Sequence, residues 1–226
     1  MVLLHPLPFD GSVWSDEMRS LGHGVIAPNL YDLGNSLESW ASAIVDAAAP
    51  GPLVVVGNSI GGSCAIEVAR LAPERVKLLV LIGAKAAHRP DPEFRDTAIR
   101  LLRDHGMERA WPTYWSPLFA PSTEERVIES ARQIAFALPI ESIIRGVVAF
   151  HARPDRSDFL GQLDVPVLLV NGQCDHIPSD PASLAASLRQ GAYLPIEGAG
   201  HYPSLERPKA LASVVTNAIA RLTDYP

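Results

Sequence analysis

The stretch Pro52-Leu-Val-Val-Val-Gly57-Asn58-Ser59-Ile60-Gly61-Gly62 constrains the fold more than any other part of the chain. Leu53 to Val56 form an unbroken aliphatic run, the signature of a strand buried on both faces of a parallel sheet. From Ile60 onward Cys64, Ala65, Val68, Leu71 and Ala72 recur at helical spacing. Strand and helix are separated by too few residues for a relaxed loop, so the chain must turn sharply. Gly57 and Gly61 lack the Cβ atoms that would block that turn. Ser59 is left at the apex in strained geometry, the arrangement of a nucleophile elbow. A serine that merely caps the following helix is the plainer alternative.

The remaining pattern alternates strand with helix, which predicts an α/β fold. Strands are expected at residues 2–5, 24–30, 52–56, 76–82, 165–171 and 192–197. Helices are expected at 12–21, 36–49, 60–72, 181–188 and 204–222. Residues 85–163 break the rhythm, with helical segments at 92–105, 108–114, 123–138 and 139–150, several prolines and no convincing strand. A single crossover helix would suffice between two parallel strands. The interval is therefore read as a helical cap, with residues 1–84 and 164–226 forming the core.

A serine hydroxyl needs a base within hydrogen-bond reach and a third group to orient that base. Catalytic groups in such folds gather at the carboxyl ends of parallel strands. Of the seven histidines, His23 precedes a strand, His88, His105 and His151 fall in the cap, and His176 follows the 165–171 strand. His201 follows the last strand through Gly198-Ala-Gly200 and completes the chain order Ser, Asp, His. Asp175 lies just beyond the 165–171 strand and is the acid of choice. Asp180 precedes Pro181 and reads as a helix cap, and Asp164 is at the wrong end of its strand. Two N–H donors must face the developing oxyanion. Ile60 opens the helix after Ser59, and Leu7 is the donor left between Pro6 and Pro8, which have no N–H. Trp111, Tyr114, Trp115 and Phe119 cluster in the cap; Trp111, Trp115, Phe119 and also His5 are expected to contact substrate. Arg100, Arg103, Arg109 and Arg145 read as solvated cap positions.

The 226 residues carry 19 basic and 25 acidic side chains, a net charge of −6 with no basic cluster. Nucleic acid and anionic membrane surfaces are therefore not expected partners. Neither Cys64 nor Cys174 belongs to a Cys-x-x-Cys pair, and Cys64 reads as a buried thiol. No metal-ligand spacing, phosphate loop or nucleotide fingerprint is present, so no cofactor and no metal are expected. No targeting segment or membrane-spanning run is evident, which predicts a cytoplasmic protein, monomeric or homodimeric.

The motifs together resemble the α/β-hydrolase superfamily, in particular its lid-bearing esterases and enol-lactone hydrolases. The matching pieces are His5-Pro-Leu-Pro8 with Trp14, Ala27-Pro-Asn-Leu-Tyr-Asp-Leu-Gly34, Gly57-Asn-Ser-Ile-Gly-Gly62, Gly172-Gln-Cys-Asp175 and Gly198-Ala-Gly-His201 with Glu206-Arg-Pro208. Pro6 stands where that family usually has Gly, and Asn29 where it usually has Asp. The chain starts at what resembles the family's third strand, so the resemblance implies about six strands, all parallel, without the N-terminal hairpin. It implies a serine hydrolase acting through an acyl-enzyme on a carboxylic ester or lactone of a small to medium apolar substrate. The same three residues would serve a carbon–carbon bond hydrolase, a perhydrolase or a thioesterase. A hydrolase-fold protein that only binds a small ligand is the non-enzymatic alternative.

Overall fold

The computed structural model describes residues 1–22, 24–177 and 180–223. His23, expected ahead of the second strand, lies outside the described residues, as does Pro178. Five strands form one sheet: β1 (Val2–Leu4), β2 (Leu53–Asn58), β3 (Val76–Ile82), β4 (Val167–Gly172) and β5 (Gly191–Ile196). Their order in the sheet is their order in the chain, and every neighbouring pair is parallel.

The sixth expected strand, at residues 24–30, is a single parallel bridge between Val2 and Ile26. Leu3 N–H donates to the Ile26 carbonyl at 2.9 Å and Ile26 N–H to the Met1 carbonyl at 3.1 Å. Pairing stops there because Pro28 has no N–H to extend the ladder. Asn29 then accepts from Tyr31 N–H and starts a tight turn, Leu30–Asp32.

Alternation along the strands sorts side chains onto the two sheet faces. Val55, Leu79, Leu81 and Leu169 pack on one face against Trp40 and Ile44 of α2 (Leu37–Ala47) and Ala65 and Val68 of α3 (Ile60–Leu71). Val56, Val80, Ile82 and Val170 pack on the other with Trp14, Leu211 and Val215. From Val55 in β2 and from Leu78 in β3 both faces are buried, which is why these stretches read as continuous aliphatic runs. Each such side chain contributes roughly 1.5–3 kcal/mol by burial, so the central strands form a rigid platform for whatever stands at their carboxyl ends.

The helix expected at residues 12–21 shrinks to α1 (Asp16–Arg19), because Ser15 caps it by accepting from Met18 N–H while buried Trp14 stays extended. Between β3 and β4 run α4 (Pro92–Ala110), a wide turn at Trp111–Trp115, α5 (Glu125–Ala137), α6 (Ile140–His151) and α7 (Ser157–Gln162). The expected helix at 108–114 is instead the end of α4 and that turn, with the bend in α4 at Gly106, whose φ is 62°. After β4 come α8 (Pro181–Ser187), α9 (Pro203–Glu206) and α10 (Pro208–Thr223). The last two replace one expected helix at 204–222, broken at Arg207 with Pro208 restarting the coil. Among the described residues no single helix is long and apolar enough to cross a membrane.

Candidate active site

β2 ends at Asn58 and α3 begins at Ile60, leaving Ser59 alone to make the turn. Its φ of 55° is the one positive value at a non-glycine among the described residues. Such a conformation costs of order 1–3 kcal/mol and persists where the surroundings impose it. Here Ser59 N–H donates to the Ile82 carbonyl at 2.8 Å, and Ser63 N–H donates to the Ser59 carbonyl at 3.1 Å. The glycines are sterically required: a Cβ on Gly57 would lie 2.2 Å from the Gly61 oxygen, and one on Gly61 would lie 2.2 Å from the Leu4 oxygen. The Ser59 side chain makes no capping hydrogen bond, which removes the helix-cap alternative.

Asp175 and His201 follow β4 and β5, so the sheet order brings both to the end where Ser59 stands. His201 Nδ1 lies 2.8 Å from Asp175 Oδ2, and both side chains are almost wholly buried. A carboxylate only accepts, so Nδ1 carries the proton and Nε2 is left as the imidazole's acceptor. Ile177 N–H donates to the other carboxylate oxygen at 2.9 Å and fixes the Asp175 rotamer. The His201 main chain is held on both sides: its N–H donates to the Leu118 carbonyl at 2.8 Å, and Asn58 Nδ2 donates to its carbonyl at 3.2 Å. Asp180 caps α8 by accepting from Ser183 N–H, the role read for it from sequence.

Ser59 and His201 line one cavity of about 210 Å³, together with Leu7. No hydrogen bond joins the Ser59 hydroxyl to the His201 ring in this structure. Neither the Leu7 nor the Ile60 amide has a protein acceptor among the described residues.

The four side chains expected at substrate divide. Trp115 lines the cavity. Trp111 and Phe119 do not: Trp111 stacks on Phe9, Phe119 and Phe136, and Phe119 on Tyr202, so they pack the helical segment onto the core. His5 does not line the cavity either. It is fully buried, its Nε2 accepts from Leu30 N–H at 2.9 Å, and its Nδ1–H faces the Pro6 carbonyl at 3.2 Å. Burial pushes its pKa down to about 4, so the ring is a neutral brace for the loop carrying Leu7. None of Arg100, Arg103, Arg109 and Arg145 lines the cavity.

Among the cavity walls that sequence reasoning missed are Phe94 on α4 and Val147, Phe150 and His151 on α6. The last three share a face at three- and four-residue spacing, a pattern that would have flagged them. Burial, and secondarily Arg153, lowers the His151 pKa.

The model of the family described as Alpha/beta hydrolase family matches residues 1–214. A pimeloyl-[acyl-carrier protein] methyl ester esterase of Nitrosomonas europaea is 29% identical, covering 94% of this chain and 92% of that protein. One of Vibrio campbellii is 27% identical over 84% of this chain and 81% of its own length. A thermophilic esterase from Thermogutta terrifontis superposes with a TM-score of 0.85 at 25% identity, covering 98% and 89% of the two chains. The enol-lactonase of Burkholderia xenovorans LB400 has the same fold, with a TM-score of 0.85 at 20% identity over 97% and 90%.

Proposed function

The chain belongs to the alpha/beta hydrolase family, and from that premise we propose that it is a serine hydrolase that cleaves carboxylic esters or lactones through an acyl-enzyme on Ser59. The observation that carries this reading is the strained Ser59, uncapped and sharing a cavity with a His201 already bonded to Asp175. In the proposed reaction His201 Nε2 takes the Ser59 hydroxyl proton as the oxygen attacks the substrate carbonyl. Asp175 holds the tautomer and stabilises the imidazolium. The Leu7 and Ile60 amides, which have no other acceptor, receive the oxyanion; losing one such donor typically costs roughly 3 kcal/mol of barrier. His201 then gives the proton to the leaving oxygen, and water repeats the sequence on the acyl group.

Residues 85–163 are proposed as a cap, since α4 and α6 supply the cavity wall opposite the elbow. Apart from Ser59, His201, His151 and the tyrosines Tyr114 and Tyr202, the lining is aliphatic or aromatic without a hydroxyl, which suits an apolar acyl or alcohol group. Pockets for drug-sized ligands run about 300–1,000 Å³, so a cavity of about 210 Å³ favours a small to medium group. The relatives named as methyl ester esterases fit an ester bond as the target.

A panel of p-nitrophenyl esters of increasing chain length, with lactones and thioesters beside them, tests the reading. Multiple turnover of short and medium esters or lactones is expected. Saturable binding with no multiple turnover of any member would overturn it in favour of a ligand-binding protein.

A further inference from the structure

Glu206 lies outside the cavity, yet its carboxylate collects donors from two separate parts of the chain. It is the last residue of α9 and is 5% exposed. Gly200 N–H donates to both of its oxygens at 3.0 Å, and Tyr202 N–H donates to Oε1 at 3.1 Å. These two amides bracket His201. From the other side Ala120 N–H donates to Oε2 at 2.8 Å, and the Thr123 hydroxyl donates to the same oxygen. Those donors belong to the segment leading from the Trp111–Trp115 turn into α5.

That segment touches the histidine loop directly. His201 N–H donates to the Leu118 carbonyl. A Cβ on Gly200 would fall 2.4 Å from the Leu118 oxygen and 2.5 Å from the Ala120 nitrogen, so the two backbones meet with no side chain between them. A buried carboxylate is tolerated only with its lone pairs satisfied, and bonds to an ionised acceptor are the stronger kind. One carboxyl group thus ties the proposed cap to both neighbours of the proposed base.

We infer that Glu206 is a positioning residue that clamps residues 118–123 of the cap to the loop carrying His201, so that the imidazole is aligned only while that segment is seated. This rests on the Ser59 reading above. Glu206 touches neither substrate nor the reacting atoms; it acts through the backbone of His201. Displacing a catalytic group by about 1 Å costs on the order of 100-fold in rate, so a loosened loop shows in turnover before it shows in binding.

The test is a double-mutant cycle on the full chain with p-nitrophenyl butyrate, reading kcat and KM separately, alongside the rate of fluorophosphonate labelling and the melting temperature. Glu206→Gln keeps the shape but sets an amide N–H₂ against N–H donors. It is expected to lower kcat about 30-fold with KM within about twofold, and to slow labelling in parallel. Thr123→Val removes one cap-side donor that does not line the cavity and is expected to lower kcat about threefold, with Thr123→Ser restoring it. The loss in the double variant should be smaller than the product of the two single losses, because both substitutions act on the same cap-side contact. Additive effects, a change confined to KM, or full kcat in folded Thr123→Val would overturn the clamp. If Glu206→Gln fails to fold, the Thr123→Val and Thr123→Ser pair decides alone. A wild-type chain that neither turns over nor labels would sink the Ser59 reading and the clamp with it. An active wild type with unimpaired variants would sink only the clamp.

Discussion

Acidification should weaken this fold through His5, by an amount the structure sets. The ring is wholly buried, its Nε2 accepts from Leu30 N–H, and its pKa is down at about 4 against an ordinary 6.5. Above pH 6.5 the imidazole is neutral in both folded and unfolded chains, and it adds no pH dependence. Between 6.5 and 4 the unfolded chain takes up a proton that the folded chain refuses, so stability falls by about 1.4 kcal/mol per pH unit. The whole window amounts to about 3 kcal/mol, a large share of the roughly 5–15 kcal/mol typical of a folded domain. Urea unfolding of the wild type and of His5→Gln, at several pH values from about 7.5 to about 4.5, isolates this contribution. Glutamine keeps an acceptor near Leu30 but has no proton to gain. Other groups, such as Asp155 with its pKa lowered to about 2 by backbone hydrogen bonds, cancel in the difference. The stability advantage of wild type over variant should shrink by about 2.5 kcal/mol between about pH 7.5 and about pH 4.5. An advantage that does not change with pH would refute the reasoning.

Other outcomes follow from the same geometry. Ser59→Gly should abolish turnover yet raise stability by about 1 kcal/mol in urea unfolding, since glycine removes the cost of a positive φ; Ser59→Ala should abolish turnover without that gain. Gly61→Ala should cost roughly 1–3 kcal/mol in the same assay and remove activity, because its Cβ is driven into the Leu4 carbonyl. Trp115→Ala should shift the ester panel towards longer chains, whereas Trp111→Ala should lower the melting temperature and leave the chain-length preference in place; the reverse pattern would contradict the cavity assignment.

Much of the site was legible because its signals are local. The Gly57-to-Gly61 spacing encodes a steric demand that two backbone approaches impose, and the strand order then carries Asp175 and His201 to the same end of the sheet. The position of Asp180 before Pro181 likewise marked it as a cap. What escaped depends on contacts between distant segments. Residues 24–30 have strand composition, but Pro28 and the Asn29 turn stop the ladder after one bridge. His5 is the first polar residue after β1, yet only the fold reveals that the Leu30 amide occupies its ring nitrogen. Trp111, Trp115 and Phe119 look alike in sequence, and their roles separate only when Phe9, Phe136 and Tyr202 are seen to cover two of them. Glu206 was visible as part of a motif without any indication that its carboxylate spans two segments.

Peptide mapping by mass spectrometry after fluorophosphonate treatment addresses the proposed chemistry most directly. One adduct per chain is expected, on Ser59, absent from Ser59→Ala and formed at least about 1,000-fold more slowly in His201→Ala. An adduct on a different residue, or ester hydrolysis at the wild-type rate in Ser59→Ala, would contradict it.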